Sequence, residues 1–429
     1  MLLSRLNDVV WSPWLLGLFL AAGLYYSLRT GFFQIFRIPL WLRTTFGAML
    51  RRRGRGNGRG ISQFQALATA IAAQVGTGNI VGSAGAILTG GPGAIFWMWI
   101  IAFFGMATIY AEATLAIKTR RVDQEGNIHG GPVYYITTAF QGAFGKFLAG
   151  FFAVAITLAL GFMGCMVQSN SIGSTFQTAF GVPSWVVGIV LVVICAIIFL
   201  GGVQRLASVT EKIVPVMAAI FLLGGLVVLI ARIQYLPATI AMIFQYAFQP
   251  QAIIGGGFGA ALKTAISQGA KRGLFSNEAG MGSAPNAAAT ASVSHPVKQG
   301  LVQSLSVYID TLVICTCSAM MVLVFYVQDP AAAEGLNGMP LVQMAVNNAV
   351  GEVGIHFITF AIFAFAFSSL IGNYFYAETN FRYIFKNTKW GMLIFRVLCL
   401  AAIFYGCVNS FDLAWNLADI FMGFMAIIN

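Results

Sequence analysis

Apolar stretches long enough to cross a lipid bilayer follow one another along almost the whole sequence. Hydrophobic residues make up 59% of the 429 residues and charged residues only 9%, whereas about a quarter of the residues in a soluble globular protein are charged. A helix needs about 20 apolar residues to cross the hydrocarbon layer, so this length accommodates roughly ten to twelve spans. The sequence therefore predicts an all-α, multi-span membrane protein and leaves no room for a large soluble domain.

Glycine, proline and charged residues divide this apolar sequence into helices. About eleven helices fit, over residues 13–28, 61–90, 93–117, 147–179, 184–202, 208–231, 237–271, 297–327, 353–385, 390–407 and 411–429. The first is interpreted as a retained span rather than a signal peptide, because no small-residue cleavage site follows its apolar run.

Basic residues lie mainly in the connections between these helices. The net charge is +11, and the first connection carries the arginine-rich sequence RRRGRGNGRG at residues 51–60. By the positive-inside rule this connection is cytoplasmic, which places the N-terminus outside and the C-terminus in the cytoplasm. The charge therefore indicates topology and contact with membrane lipid rather than nucleic-acid binding. The expected location is the plasma membrane of a bacterial or archaeal cell.

Two of the predicted helices contain residues that interrupt a helix. The second helix contains GTGN at residues 76–79, and the seventh contains Gln249, Pro250 and GGG at 255–257. In hydrocarbon each unpartnered backbone N–H or C=O costs several kcal/mol. A spanning helix is therefore interrupted only where other groups replace the lost hydrogen bonds, and these two places mark the predicted functional site.

The positions of the two interruptions predict an internal repeat. Helices two to six and seven to eleven form two units, each of which opens with an interrupted helix. Because five helices is an odd number, the second unit enters the membrane from the opposite side, as in inverted-repeat secondary transporters with a site at mid-membrane. The predicted units are an extra N-terminal helix with its basic loop over 1–59, a first repeat over 60–232 and a second repeat over 233–429.

An interrupted helix exposes groups that bind an amino acid and a cation together. Amide groups and the positive end of a helix dipole suit a carboxylate, and free carbonyl groups suit a small hard cation. In the second helix the carbonyl groups of Ala72 and Val75 end the first half, and the amides near Thr77, Gly78 and Asn79 begin the second.

Several motifs resemble those of the alanine or glycine:cation symporter family. They are GTGN followed by GGPGA, GGPVYYI at 130–136, VQSNSI at 167–172 and GLFSNEAGMGSAPNAAA at 273–289, and they occur in order over essentially the whole chain. VGTGN also resembles the VGLGN break of LeuT-type transporters. The resemblance implies a LeuT-type fold, with two inverted repeats of five helices after one extra helix. It also implies sodium-coupled uptake of small neutral amino acids by alternating access.

The resemblance assigns a substrate site. It places the substrate carboxylate on the backbone at Thr77, Gly78 and Asn79, and it makes Gln168 a polar residue of the pocket. An amide side chain can donate to a carboxylate and accept from an ammonium group. Phe248, just before the interruption of the seventh helix, is expected to form an apolar wall. The alternative for Gln168 is an ordinary hydrogen bond between helices.

The resemblance also assigns a sodium site. Ser368 and Ser369 lie where the family has adjacent hydroxyl residues, and they are expected to complete a sodium shell with the Ala72 and Val75 carbonyl groups. Ser369 is assigned to the substrate site as well. The alternative for both serines is a hydrogen bond to a carbonyl one turn earlier.

One residue departs from the family pattern. The segment GNYFYAE has Asn373 where many members have a tryptophan. An amide in place of an indole predicts a larger and more polar pocket. Glutamine is therefore expected to compete with or replace alanine and glycine.

Charged residues within the predicted spans have expected partners. Glu112 and Glu378 are expected to pair with basic residues near the cytoplasmic interface, and Asp310 is expected to pair with Lys263. The sequence SNEAGMGSAPNAAA at 276–289 is expected to follow the seventh helix on the cytoplasmic side, as a gate or as simple packing.

Other functions remain open from the sequence. The alternatives are a proton-coupled amino-acid carrier or exchanger and, with less support, an ion channel. An intramembrane enzyme is not expected, because the sequence contains neither HExxH nor GxSxG. No cofactor is expected apart from Na⁺ as the coupling ion.

Overall fold

The computed structural model describes most of the chain. The described residues are 6–7, 9–50, 60–123, 128–249, 258–329, 331, 336, 338–386, 388–409 and 411–429. Its helices are α1 (Pro13–Arg29), α2 (Phe33–Phe36), α3 (Ile38–Leu50), α4 (Gln63–Gln74), α5 (Gly78–Gly90), α6 (Ala94–Thr119), α7 (Pro132–Ala139), α8 (Gly142–Phe180), α9 (Ser184–Phe199), α10 (Gly202–Ala231), α11 (Leu236–Phe248), α12 (Phe258–Asn277), α13 (Pro285–Ala288), α14 (Pro296–Gln328), α15 (Gly338–Val350), α16 (Glu352–Phe385), α17 (Lys389–Val408) and α18 (Phe411–Ile428). One two-stranded antiparallel hairpin pairs β1 (Arg121–Val122) with β2 (Ile128–His129).

Each predicted span has a helical counterpart. Within the described residues, six helices are long and apolar enough to cross a membrane, and α4 with α5 makes a seventh when the bent pair is taken as one span. The other four predicted spans correspond to α1, α9, α18 and the pair α11 and α12. The chain is therefore an all-α polytopic membrane protein.

The first interruption lies where the sequence predicts it. Helix α4 begins at a capping box in which Ser62 and Gln65 exchange hydrogen bonds of 2.9 and 3.0 Å. It ends at Gln74, because Val75 is extended. The chain resumes as a π-helical turn at the start of α5, and the two helix axes differ by 52°.

Among the described residues, the interruption that lies beside GTGN follows α12, whereas the interruption expected at 249–257 falls almost wholly outside them and stays a prediction. Gln249 follows α11, and residues 250–257, which include Pro250 and the GGG motif, lie outside the described residues. The helix that contacts the first break is α12, which ends at Asn277 because Glu278, Gly280 and Gly282 take left-handed φ values of 56°, 87° and 77°. L residues in a right-handed helix do not adopt this conformation.

The segment over 276–282 is buried inside the protein rather than exposed as a connection. Its residues are all buried, and α13 resumes at Pro285, the favoured residue for a first helical turn. Backbone hydrogen bonds then join Ile61 to Thr290 and Ser292, at 3.1 and 2.9 Å. The chain just before α4 is thus attached to the chain just after the second interruption.

The helices around these two breaks form a common core. Helix α6 packs along both α12 and α14, while α16 packs against α4, α8 and α10. Glycines allow the closest approaches: a Cβ atom added to Gly372 of α16 would lie 2.6 Å from the Ala73 side chain. This packing places residues of α8 and α16 beside the end of α4.

Candidate substrate and cation site

Five oxygen atoms converge where α4 ends. The Ser369 hydroxyl lies 3.1, 3.0 and 3.2 Å from the carbonyl oxygens of Ala72, Ala73 and Val75. The Ser368 hydroxyl lies 3.3 Å from the Ala72 carbonyl and 3.5 Å from the Val75 carbonyl. Both serines are fully buried.

This cluster has more acceptors than the serines can satisfy. A hydroxyl group carries a single proton, and Ser368 also lies 2.8 Å from the Phe365 carbonyl of its own helix. Oxygens that surround a hard cation at about 2.4 Å lie about 3.4 Å from one another, close to the spacing found here. The geometry therefore suits a cation such as Na⁺.

The sequence identified four of the five residues of this oxygen cluster. Ala72, Val75, Ser368 and Ser369 come together as expected, and Ala73 is the one that was missed. The sequence did contain a signal for Ala73, because the last turn of a helix leaves several successive carbonyl groups unpaired, and Ala73 lies in that turn.

The first interruption is closed by amide side chains. The Gln168 side-chain oxygen accepts from the Thr77 backbone N–H at 2.9 Å. The Asn79 side-chain oxygen accepts from the Gly76 N–H at 2.8 Å, and the Asn79 N–H donates to the Gly76 carbonyl at 3.2 Å. Two of the three amides expected to bind a substrate carboxylate, those of Thr77 and Asn79, thus have partners within the protein in this conformation.

Gly76 lies between the oxygen cluster and Gln168. A Cβ atom at this position would lie 2.2 Å from the Ser369 hydroxyl and 2.9 Å from the Gln168 side-chain oxygen. Real Cβ atoms do not make contacts this short, so only glycine lets α8 and α16 approach the break together. The predicted cation and substrate groups therefore adjoin each other.

Asn373 lies one turn after Ser369 on α16 and is 3% exposed. Its amide faces α8, since a Cβ atom on Gly164 would lie 2.9 Å from the Asn373 side-chain nitrogen. Its side-chain oxygen is buried, as is the Thr77 hydroxyl, and neither has a hydrogen-bond partner in the described part of the chain. These two groups can bind a polar ligand.

Gly78 and Phe248 lie in different surroundings. Gly78 is buried against the Phe275 ring of α12, which a Cβ atom would approach to 3.0 Å. Phe248 is 54% exposed and packs edge-to-face against Phe96 and Trp97, with ring centroids 5.0 and 6.0 Å apart. The expected role of Phe248 as a pocket wall was therefore wrong, because α11 ends against the start of α6 and not beside the first interruption.

Asp310 of α14 connects the two interruptions. Its carboxylate accepts from the Asn79 amide at 2.6 Å, the Ser276 hydroxyl at 2.8 Å and the Thr311 hydroxyl at 2.8 Å. The expected pair with Lys263 is not formed, because the Lys263 side chain is exposed. Among the described residues no basic side chain pairs with Asp310. Asp310 thus joins the first break to the end of α12 through hydrogen bonds alone.

Glu112 and Glu378 have different kinds of partner. Glu112 accepts from the backbone N–H groups of Gly280 and Gly282, at 3.1 and 3.0 Å, and so holds the second interruption in place. The expectation that Glu112 pairs with a basic residue was wrong, since its described partners include no basic side chain. Glu378 does pair with basic residues, Arg382 at 2.7 Å and Arg396 at 3.2 Å.

An aromatic pair lies beside Gly78, and an ion pair one turn away on α12 also reaches α18. The Phe275 and Trp415 rings lie 4.5 Å apart. One turn before Phe275, Lys271 pairs with Asp419 of α18 at 2.6 Å. These contacts join α12 to α18 directly beside the break.

Comparison with known proteins identifies the family. The sequence-family model for the sodium:alanine symporter family matches residues 1–429 of this chain. The probable sodium/glutamine symporter GlnT of Bacillus subtilis is 43% identical over 424 residues, which are 99% of this chain and 85% of that protein. The sodium/alanine symporter AgcS of Methanococcus maripaludis is 41% identical over 429 residues, which are 100% of this chain and 92% of that protein.

Solved structures with low sequence identity share the fold. A Na⁺-coupled sialic acid symporter aligns with a TM-score of 0.55 at 15% identity, over 98% of this chain and 82% of that one. MhsT in complex with L-phenylalanine aligns with a TM-score of 0.61 at 14% identity, over 87% of this chain and 89% of that one. The LeuT-type fold implied by the sequence motifs is confirmed, and the chain belongs to the sodium:alanine symporter family.

Proposed function

We propose that the protein couples the entry of one small neutral amino acid to the entry of Na⁺ through the site at the end of α4. The observation that carries this proposal is the convergence of the Ser368 and Ser369 hydroxyls with three backbone carbonyls, next to the amides of Thr77 and Gly78. Carbonyls and hydroxyls suit the cation, while amides suit the carboxylate of the amino acid.

Coupling follows from the position of the cation between two elements. Na⁺ held by carbonyls of α4 and hydroxyls of α16 would fix the angle at which the broken helix meets α8 and α16. That angle determines how the Thr77 amide and Gln168 face the substrate. Since binding free energies are reciprocal, the substrate then strengthens Na⁺ binding by the same factor.

The substrate carboxylate would take over hydrogen bonds that the protein now makes to itself. Gln168 accepts from the Thr77 N–H in this conformation, and rotation of Gln168 would free that amide for the carboxylate. The buried Asp310 carboxyl group, which accepts from Asn79, would offer an acceptor to the substrate ammonium group. The Phe275–Trp415 contact and the Lys271–Asp419 pair would separate when the site opens on that side.

Glutamine is a proposed substrate beside alanine and glycine. Asn373 places an unpaired amide oxygen at the edge of the site, and the side chain of glutamine could donate to it. A relative with 43% identity is named as a probable sodium/glutamine symporter, and one with 41% identity as a sodium/alanine symporter.

The remaining parts of the proposal concern the arrangement in the cell membrane. We place the N-terminus outside and the C-terminus in the cytoplasm, with a first repeat over 60–232 and a second over 233–429. In support of two related units, α4 and α5 are followed by the long helix α6, just as α12 and α13 are followed by α14.

Uptake into vesicles tests the function directly. The full chain is reconstituted into proteoliposomes, and entry of radiolabelled alanine and glutamine is measured under an inward Na⁺ gradient. Choline replaces Na⁺ in the control, and a proton gradient is applied separately. We expect uptake that requires Na⁺ and saturates with substrate. Uptake that follows the proton gradient in choline would support a proton-coupled carrier. Large unitary currents without amino acid would support a channel.

A further inference from the structure

A positively charged cavity lies away from the substrate site. It has a volume of about 250 Å³ and is formed where β1, α7, the start of α8 and the end of α16 meet. Arg121 and Lys146 line it together with Tyr134, Tyr383 and Phe140. None of the lining residues that the structure describes carries a carboxylate.

Aromatic contacts hold one of the two basic groups in place. The Arg121 guanidinium lies 5.8 Å from the centre of the Tyr134 ring, and the Tyr134 and Tyr383 rings lie 5.9 Å apart. A cation over an aromatic face keeps its N–H groups available at the edge of the guanidinium. The aromatic rings thus pack against Arg121 and hold its guanidinium at the edge of the cavity.

Neither basic side chain forms a salt bridge within the described part of the chain. The nearest carboxylate in the sequence, Asp123, pairs with His129 at 2.9 Å. An arginine and a lysine that face one cavity without a carboxylate attract an anion, and the planar arginine suits phosphate oxygens. The chemistry of the cavity therefore selects a phosphate group.

The cavity opens onto an apolar stripe on α8. Phe140 lies at its rim, with its ring 5.8 Å from that of Phe144. Phe144, Phe147 and Phe151 are 60%, 65% and 42% exposed. Residues at this spacing lie on one face of a helix, so the stripe leads away from the cavity along a helix that is long enough to span the membrane.

We propose that this cavity binds the phosphodiester headgroup of an anionic phospholipid, with its acyl chains along Phe144, Phe147 and Phe151. A phosphate site next to an exposed apolar stripe fits an amphipathic anion better than a free phosphate. The cavity lies just after the spanning helix α6, in a connection that its basic residues place on the cytoplasmic side of the membrane. Anionic lipids there are attracted to lysine and arginine. The cavity also connects α8, which holds Gln168, to α16, which holds Ser369.

Binding is tested on the full chain in a neutral detergent. Thermal unfolding is followed during titration with short-chain phosphatidylglycerol, with short-chain phosphatidylcholine and with inorganic phosphate. Arg121→Gln/Lys146→Gln removes the cavity charges, and Phe144→Ala/Phe147→Ala removes the stripe. Lys263→Gln/Lys298→Gln is the matched control, because it removes two exposed charges outside the cavity. Arg121→Lys/Lys146→Arg keeps the charge and guards against a loss caused by misfolding.

We expect phosphatidylglycerol to stabilise the wild type, the control variant and the charge-conserving variant. Its apparent affinity should fall about fivefold for each cavity charge removed, and it should also fall in the phenylalanine variant. An unchanged titration in Arg121→Gln/Lys146→Gln would overturn the proposal. Equal stabilisation by inorganic phosphate, with no effect of the phenylalanine changes, would overturn the lipid assignment in favour of a free phosphate.

Discussion

The side-chain oxygen of Gln168 accepts a hydrogen bond from the backbone N–H of Thr77 at 2.9 Å. This bond joins α8 to the first residue after the break of the second predicted helix. It satisfies one of the amides that a substrate carboxylate would use, and it gives Gln168 a direct part in the conformation of the site.

Replacing Gln168 with leucine should weaken substrate binding. The change removes the amide that would donate to the substrate carboxylate once Gln168 turns away from Thr77, and a hydrogen bond to a charged group contributes about 1.5–3 kcal/mol. We expect the half-saturating alanine concentration for uptake to rise about tenfold. Gln343→Leu is the control, since Gln343 is also buried but bonds to Thr359. Loss of protein abundance with normal substrate saturation would instead assign Gln168 a structural role.

The two adjacent serines should differ in their effect on sodium activation. Ser369 approaches three carbonyls within 3.0–3.2 Å, whereas the shortest contact of Ser368, at 2.8 Å, is with its own helix. Ser369→Ala should raise the half-saturating Na⁺ concentration about tenfold, because a hydrogen bond or ligand to a charged group contributes about 1.5–3 kcal/mol. Ser368→Ala should have a smaller effect. Na⁺ titrations of uptake would measure both.

Ser318→Ala is the control for these serine variants. Ser318 is buried and bonds only to the Ile314 carbonyl of its own helix among the contacts described. The half-saturating Na⁺ concentration for uptake by Ser318→Ala should match that of the wild type. If Ser369→Ala also keeps wild-type sodium dependence, Ser369 does not belong to the cation shell.

A methyl group at Gly76 should abolish transport. The Cβ atom would lie 2.2 Å from the Ser369 hydroxyl, so Gly76→Ala must either turn that hydroxyl away from the oxygen cluster or displace α16 or the broken helix. We expect uptake to fall below about a tenth of wild type, since a steric clash in a packed core costs about 1–3 kcal/mol. Gly85→Ala is the matched control, because nothing lies within 4 Å of its Cβ position. Normal uptake by Gly76→Ala would show that the close approach is not needed.

Asp310 should be essential for uptake although it was not assigned to the site from the sequence. Its carboxylate accepts three hydrogen bonds from both interruptions and α14. Asp310→Asn has a single acceptor oxygen, and each lost hydrogen bond to a charged group costs about 1.5–3 kcal/mol. We expect near-complete loss of uptake at saturating Na⁺. Glu352→Gln, at the exposed start of α16, should leave uptake unchanged. Retained uptake in Asp310→Asn would exclude a need for the charge.

Asn373 should determine the tolerance for polar substrates. Its side-chain oxygen is buried without a hydrogen-bond partner in the described chain. Competition of unlabelled glutamine against labelled alanine should weaken in Asn373→Leu, which removes the amide, and weaken further in Asn373→Trp, which also fills the pocket. An unpaired buried polar group costs about 1–3 kcal/mol, so a shift of about tenfold is expected. If glutamine does not compete in the wild type, the proposed polar pocket is wrong.

The sequence determined the class of fold and the first half of the site. Apolar stretches of bilayer length predict spanning helices, and GTGN predicts a break, because unpaired backbone groups are too costly in hydrocarbon for chance interruption. The break itself located the Ala72 and Val75 carbonyls, and motif resemblance located Gln168, Ser368 and Ser369. The structure brings these five residues together. The sequence could identify these residues because a broken helix and the groups that face it have recognisable local sequence patterns.

Only the tertiary structure decided which second segment faces the first break and which acids lack a basic partner. Glycine, proline and glutamine around 249–257 signal a break as strongly as SNEAGMG does, and sequence alone does not say which one lies beside GTGN. The left-handed residues Glu278, Gly280 and Gly282 end α12 next to Asn79 and Asp310. Phe248 and Lys263 lie away from this site because their neighbours depend on helix packing rather than on the local sequence. Contacts between residues far apart in the chain depend on how the helices pack, and that packing has no local pattern in the sequence.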